Sequence, residues 1–118
     1  MRPELLADPV MLEQVLLNLM RNGIEAMSEV PSSQRRLTVK LGQVDHQMEI
    51  RVIDRGPGVP PELVEKLFTP LFSTKADGMG MGLNICRSII EFHHGRLWIE
   101  NNPEGGSIFV ITLPIGRQ

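Results

Sequence analysis

Between Leu37 and Asp54 the chain reads LTVKLGQV and then QMEIRVID, two runs that alternate apolar and polar side chains on either side of a turn at Asp45–His46. A period of two places successive side chains on opposite faces of a strand, so these runs fit two antiparallel strands, one face buried and one solvated. The pattern returns near the end, where strands are expected over residues 96–100 and 107–113, joined as a second hairpin by the turn NNPEGG. Hairpins with one apolar face need a second layer, and the intervening sequence must supply it.

That sequence has helical spacing. Asp8 can cap a helix, Pro9 suits its first turn, and the run to about Ser28 has no further breaker except Gly23. Leu12, Val15, Leu16, Leu19, Met20 and Met27 form a wide apolar side, while Gln14, Asn18, Asn22 and Glu25 fall three and four apart on another. Pro61 opens a short helix, ELVEKLF. MGLNICRSIIEFHHG then has the spacing of an amphipathic helix, with Gly95 as its stop. The order helix, two strands, short helix, loop, helix, two strands predicts an α/β (α+β) two-layer sandwich, with helices on one face of a mixed sheet. At 118 residues the chain, 1–118, fits one domain with one core.

Composition removes several classes of function. A net charge of −2 gives no electrostatic reason to expect nucleic acid or an anionic membrane as the main partner. The single cysteine, Cys86, excludes an internal disulfide, and its place in LNICRSII suits a small buried hydrophobe. No apolar run approaches the roughly 20 residues that span a bilayer, and MRPELLADP lacks a signal-peptide core. A cytoplasmic domain is the natural inference, which leaves open a membrane anchor elsewhere in a parent protein.

Four motifs carry chemistry. Asn18 and Asn22 lie four residues apart, neighbours on one helix face. An amide oxygen suits Mg²⁺, which completes its shell with water and nucleotide phosphates. Taken alone, the pair equally fits a solvated face, although Glu13, Arg21 and Glu29 already solvate the helix. Asp54, followed by Gly56 and Gly58, ends a strand; a carboxylate there can accept from an exocyclic amine such as adenine's, and the glycines let the backbone approach a flat ring. An ordinary turn has the same residues. Gly78, Gly80 and Gly82 lead into Leu83 at a helix start, a plausible phosphate cradle or, equally, a flexible linker. It is no dinucleotide fingerprint, since no strand immediately precedes it, and no Walker loop, since Lys75 comes before the glycines. Between the last two lies FTPLFSTKADG, in which Phe68 and Phe72 can anchor a loop while Lys75, after Ser73 and Thr74, reaches toward a phosphate. A surface lysine on a pinned loop is the plainer alternative. His93 and His94 suit packing or capping better than metal binding, and His46 sits in a turn without an assigned role.

In this order and at these gaps, NLMRNGIEA, DRGPG, FTPLFSTK and GMGMGL resemble the four ATP-site boxes of sensor histidine kinases, in the wider ATPase superfamily that includes gyrase and MutL. The resemblance runs from ADPVMLEQVLLNL to GGSIFVITLP, nearly the whole chain. It implies a Bergerat-type ATP-binding fold, with ATP and Mg²⁺ as cofactors, held between a helix and a lid. Residue by residue it implies that Asn22 ligates Mg²⁺ with Asn18 beside it, both serving catalysis. It implies that Asp54 binds the adenine amino group and that Gly56 and Gly58 shape the pocket. Phe68 and Phe72 would pack the near end of the lid, Thr74 and Lys75 would approach the phosphates, and Gly78, Gly80, Gly82 and Leu83 would let the lid close. The short lid is similar to that of nitrogen-regulation and dicarboxylate sensors.

In this family the phosphoacceptor histidine lies on a separate dimerisation domain, and none of His46, His93 and His94 sits in a suitable segment. The implied partners are therefore that dimerisation domain and a response regulator, with no nucleic acid and no membrane contact by this domain. Alternatives are a serine kinase of the anti-sigma-factor type, an ATP-driven clamp as in MutL or gyrase, for which 118 residues leave no transducer domain, and a nucleotide-binding module without catalysis.

Overall fold

Asp8 turns extended chain into helix: its Oδ1 accepts from the amides of Val10 at 2.9 Å and Met11 at 3.3 Å, and Pro9 occupies the first turn, launching α1 (Pro9–Ala26). In the computed structural model, residues 4–5, 8–68 and 82–116 are described. The helix ends two residues short of the expected Ser28, with Met27 as its C-cap. A 3₁₀ turn (Ser32–Gln34) leads to the first hairpin, β2 (Thr38–Val44) and β3 (Gln47–Ile53), closed across Val44–Gln47 as the alternation requires. The short helix after Pro61 splits into α2 (Pro61–Val64) and a 3₁₀ turn (Lys66–Phe68). Then come α3 (Leu83–Phe92), β4 (Arg96–Asn101) and β5 (Ser107–Gly116), and a two-residue strand, β1 (Glu4–Leu5), pairs with the end of β5; nothing in the sequence pattern announces it.

The two-layer class stands, but the sheet is not mixed. All four pairings among the described residues are antiparallel: β2 with β3, β3 with β5, β4 with β5 and β1 with β5. The reason is topological. The crossover containing α3 links β3 to β4, which run in the same direction, yet β5 returns between them and pairs with both. Strands of like direction are never neighbours, so no parallel ladder forms.

The inner face of the sheet carries Ile50, Val52, Leu97, Phe109, Ile111 and Leu113, packed on Val15 and Leu19 of α1, Cys86 and Ile90 of α3, and Phe68. Full burial of such side chains stabilises by roughly 1.5–3 kcal/mol each, which is what holds the two helices on this one face. The outer face is closed differently. Val110, fully buried, lies in register between Arg51 and Trp98. Arg51 bonds Glu49 at 3.0 Å and Glu100 at 3.3 Å, and the Trp98 indole donates to Glu100 Oε2 at 3.0 Å.

The expected stop at Gly95 needs correction. The left-handed residue that ends α3 is His94, at φ 66°. Gly95 serves another purpose: a side chain there would collide with the Thr112 carbonyl oxygen and with Leu113, so glycine is what lets the turn lie against β5. His93 is a packing residue, as expected. Its Nδ1 lies 2.8 Å from the Ile89 carbonyl, which it can only donate to, and its Nε2 accepts from the Asp8 amide at 3.2 Å, tying the end of α3 to the start of α1.

Gly95→Ala is therefore expected to destabilise by about 1–3 kcal/mol through overpacking, whereas His94→Gly should stay within about 1 kcal/mol of the parent; urea denaturation distinguishes them. A second expectation concerns acid. The Trp98 indole, and then the Arg51 guanidinium, hold the Glu100 carboxyl below its usual range, against the opposing effect of burial. A depressed folded-state pKa contributes stability present above the unfolded value and lost as pH falls through the folded one. Trp98→Phe should thus make the loss of stability below about pH 4.3 shallower, read from denaturation midpoints at neutral and acid pH.

Candidate functional site

At the end of β3, Asp54 leaves the ladder and turns its carboxylate inward, 2% exposed. Burial at that depth requires hydrogen bonds, and they are present. Oδ1 accepts from the amides of Gly56 at 2.8 Å and Ser107 at 3.2 Å, and Oδ2 accepts from the Ser107 hydroxyl at 2.8 Å. The Asp54 amide in turn donates to the Ser107 carbonyl at 3.0 Å. A carboxylate offers about four acceptor positions, so among the described residues three are filled and one remains, on Oδ2.

The turn beyond Asp54 is pressed against neighbouring backbone. A methyl at Gly56 would sit 2.8 Å from the Ala26 carbonyl oxygen, and Gly58, at φ +82°, approaches Asn101 and Gly106. Asn101 Oδ1 accepts from the Val59 amide at 3.3 Å, and buried Met27 Sδ accepts from the amides of Arg36 and Arg55 at 3.4 and 3.3 Å. Glycine at both positions is what allows this close approach of backbone.

Asn18 and Asn22 are not a solvated stripe. Gln14 and Glu25 at its ends are exposed, but the two asparagines are half-buried. Asn18 Nδ2 donates to Cys86 Sγ of α3 at 3.2 Å, and Asn22 Nδ2 donates to the Asn18 carbonyl at 3.2 Å. Cys86 is the buried hydrophobe expected and also this amide's acceptor; burial pushes its thiol pKa up, and the Asn18 hydrogen bond works in the opposite sense. Gly23 brings α1 to Asp54: a methyl there would lie 3.4 Å from Asp54 Cβ and 2.7 Å from Leu37. Asn22 is the residue before Gly23.

The third side is the start of α3. Gly82 is its N-cap, and the Ile85 and Cys86 amides both donate to the Gly82 carbonyl at 3.1 Å. The earliest amides of any helix lack intrahelical acceptors and favour anions, and Leu83 opens this helix. Buried Phe68 packs in the core, with the Arg87 guanidinium 4.2 Å from its ring centroid; Arg87 also pairs with Glu65 at 3.5 Å. Phe72, Thr74, Lys75, Gly78 and Gly80 lie outside the described residues.

The structure thus joins α1 to α3 through Asn18 and Cys86, and α1 to the end of β3 through Gly23 and Asp54, with Gly56 of the following turn set against Ala26. Ser107 and Gly106 also meet Asp54 and were not singled out in the sequence. Gly106, at φ +96°, abuts the Asp54 carbonyl so closely that any side chain would collide with it. The available signal was the Gly-Gly-Ser opening of the last strand, but its partner is 53 residues away. Oxygen donors are present for a hard cation, while among the described residues no three His, Cys, Asp or Glu side chains converge as a metal cage. The residues fit Mg²⁺ held jointly with nucleotide phosphates rather than alone.

A buried carboxylate at a strand end, side-chain amides on an adjoining helix and the start of a second helix are the parts a nucleotide-binding ATPase domain would need. Residues 7–117 match the model for the histidine kinase-, DNA gyrase B-, and HSP90-like ATPase family, and the chain belongs to that family. It is 49% identical over 116 residues to the C4-dicarboxylate transport sensor protein DctS of Rhodobacter capsulatus, covering 98% of this chain and 18% of that protein. It is 47% identical to the sensor protein FixL of Bradyrhizobium diazoefficiens, over 96% of this chain and 22% of that one. Among solved structures, the catalytic domain of histidine kinase ThkA superposes with a TM-score of 0.80 at 39% identity, covering 92% of this chain and 68% of that one. The domain is thus of the histidine kinase catalytic type, and it spans about a fifth of the length of the two sensor proteins.

Two outcomes test this geometry. Ser107→Ala, which removes one donor to a buried carboxylate, should destabilise by about 1–3 kcal/mol in urea denaturation, with Ser107→Thr largely retaining stability. Cys86 should resist a thiol reagent at neutral pH in the folded domain and react once it is unfolded.

Proposed function

We propose that the chain binds ATP with Mg²⁺ and supplies the γ-phosphate to a histidine on a separate dimerisation domain, as the catalytic domain of a two-component sensor kinase. The observation that carries this reading is the buried Asp54 carboxylate, held by Gly56 and Ser107 against α1 at Gly23, with one acceptor position on Oδ2 left open among the described residues. An exocyclic amine satisfies that acceptor, as adenine's would.

Each residue then has a task. Asp54 orients the base, Gly56 and Gly58 keep its plane clear of side chains, and Asn22, with Asn18 holding its neighbour on α3, offers an amide oxygen toward the metal. When bound, Mg²⁺ neutralises charge on the phosphates; the protein's contribution is positioning. Leu83 and Gly82 present the helix amides to phosphate, while Phe72, Thr74, Lys75, Gly78 and Gly80 are proposed contacts on the expected lid. The nucleophile comes from the dimerisation domain, and the phosphoryl group passes on to an aspartate of a response regulator.

Support for the partners comes from the relatives. ThkA has been solved in complex with the response regulator protein TrrA, at 37% identity over 92% of this chain and 29% of that one. ThkA is a histidine kinase, which favours a histidine over the serine target of an anti-sigma-factor-type kinase. The identity to DctS supports, for this domain alone, the narrower grouping with nitrogen-regulation and dicarboxylate sensors. No helix among the described residues is long and apolar enough to cross a membrane, and a cytoplasmic position follows from the proposed use of ATP.

Isothermal titration with a non-hydrolysable ATP analogue tests the reading. Binding in Mg²⁺ that weakens in EDTA is expected; no binding in either would overturn it. Asp54→Asn should lower affinity at least about tenfold, since an amide nitrogen cannot accept. Asn22→Ala should lower affinity in Mg²⁺ and leave the EDTA value unchanged. Circular dichroism confirms that both variants fold.

A further inference from the structure

β2 is the last strand of the sheet on its side: it pairs with β3 alone, and its other edge has no strand among the described residues. In an antiparallel ladder every second residue turns its N–H and C=O away from its partner, so this edge offers backbone donors and acceptors to another chain. The side chains of β2 differ on its two faces. On the inner face, Val39 and Leu41 are paired with buried Val52 and Ile50, yet they are 43% and 70% exposed.

The outer face is basic. It forms the near wall of a groove of about 710 Å³ lined by Arg36, Thr38, Lys40 and Gly42, then by Arg51 and Arg55 further in. Arg51 is neutralised by Glu49 and Glu100, and Arg55 by Glu104 at 3.0 Å. Arg36 and Lys40, both exposed, form no ion pair among the described residues, so the uncompensated charge lies beside the free edge. A methyl at Gly42 would meet nothing within 4 Å, so the outer face is open above the middle of the strand.

From these features we propose that β2 is a docking edge for an extended segment of a protein partner, one that alternates carboxylate and apolar side chains. Added to the edge, such a segment forms a sixth strand. Its period of two lays the carboxylates over Arg36 and Lys40 and the apolar side chains over Val39 and Leu41. A second copy of this chain fits poorly, since its own β2 would set Lys40 and Arg36 against the same cationic row. The edge lies on the far side of β3 from β5 and draws on none of the nucleotide-site residues, so the inference stands or falls apart from the proposed function.

The test is an amide chemical-shift titration of the ¹⁵N-labelled domain with a capped peptide that alternates valine and glutamate over seven residues, matching the seven residues of β2. Saturable shifts centred on residues 38–44 are expected, with the valine–lysine counterpart binding about tenfold more weakly. Arg36→Glu with Lys40→Glu should invert that preference while the shifts of the helical layer stay in place. Equal affinity for the two peptides, shifts spread over α1 and α3, concentration-dependent shifts at β2 without peptide, or binding to anionic phosphatidylglycerol vesicles in place of the peptide would each overturn the proposal.

Discussion

The Asp54–Ser107 clasp is the interaction on which the site depends. It fastens the end of β3 to the start of β5 where the ladder between them stops, and does so through backbone and side chain together. Without the clasp the buried carboxylate would keep only the Gly56 amide among its described donors, and burying a carboxylate so poorly paired is costly. With it, Asp54 is a rigid acceptor whose direction is set by the sheet rather than by a loop. The close approaches around it follow from that demand: Gly56 against Ala26, Gly106 against the Asp54 carbonyl and Gly23 against its Cβ.

The same logic runs along α1. A helix packed on a sheet by Val15 and Leu19 has no packing use for amides at Asn18 and Asn22, and asparagine weakens a helix interior by roughly half a kcal/mol. The structure keeps them half-buried by giving each a partner, Cys86 Sγ for one and the Asn18 carbonyl for the other. Polar groups held this way at the seam between two helices are restricted in rotamer before any ligand arrives, which lowers the ordering penalty of binding.

Local periodicity made most of the fold legible. The alternation about Asp45–His46 gave the first hairpin almost to the residue, and Asp8-Pro9 gave the start of α1 with its capping bonds. What failed was non-local. Nothing in LTVKLGQV or SIFVITLP says that β5 returns between β3 and β4, so the sheet was expected to be mixed and is antiparallel. Gly95 reads as a helix stop by position, whereas its role against Thr112 depends on a strand 17 residues later. In the site, Asp54, Asn18 and Asn22 were visible because unusual residue types recur at helical or turn spacing. Ser107 was not, because one serine at the start of a strand acquires meaning only when the sheet sets it opposite Asp54.

The filled and unfilled acceptors of Asp54 also bear on selectivity within the proposed function. Three donors hold the carboxylate from the protein side, and the one position left can only accept. A purine presenting an amine there completes the set; one presenting a carbonyl oxygen, as guanine does at the equivalent ring carbon, sets two acceptors against each other in a site screened from water. Sites that hydrogen-bond one group in this way reject an analogue lacking it by factors of about 10⁴–10⁵, far beyond what a difference in shape alone provides. On the proposed function, the burial of Asp54 that calls for the clasp would also make the choice of base strict.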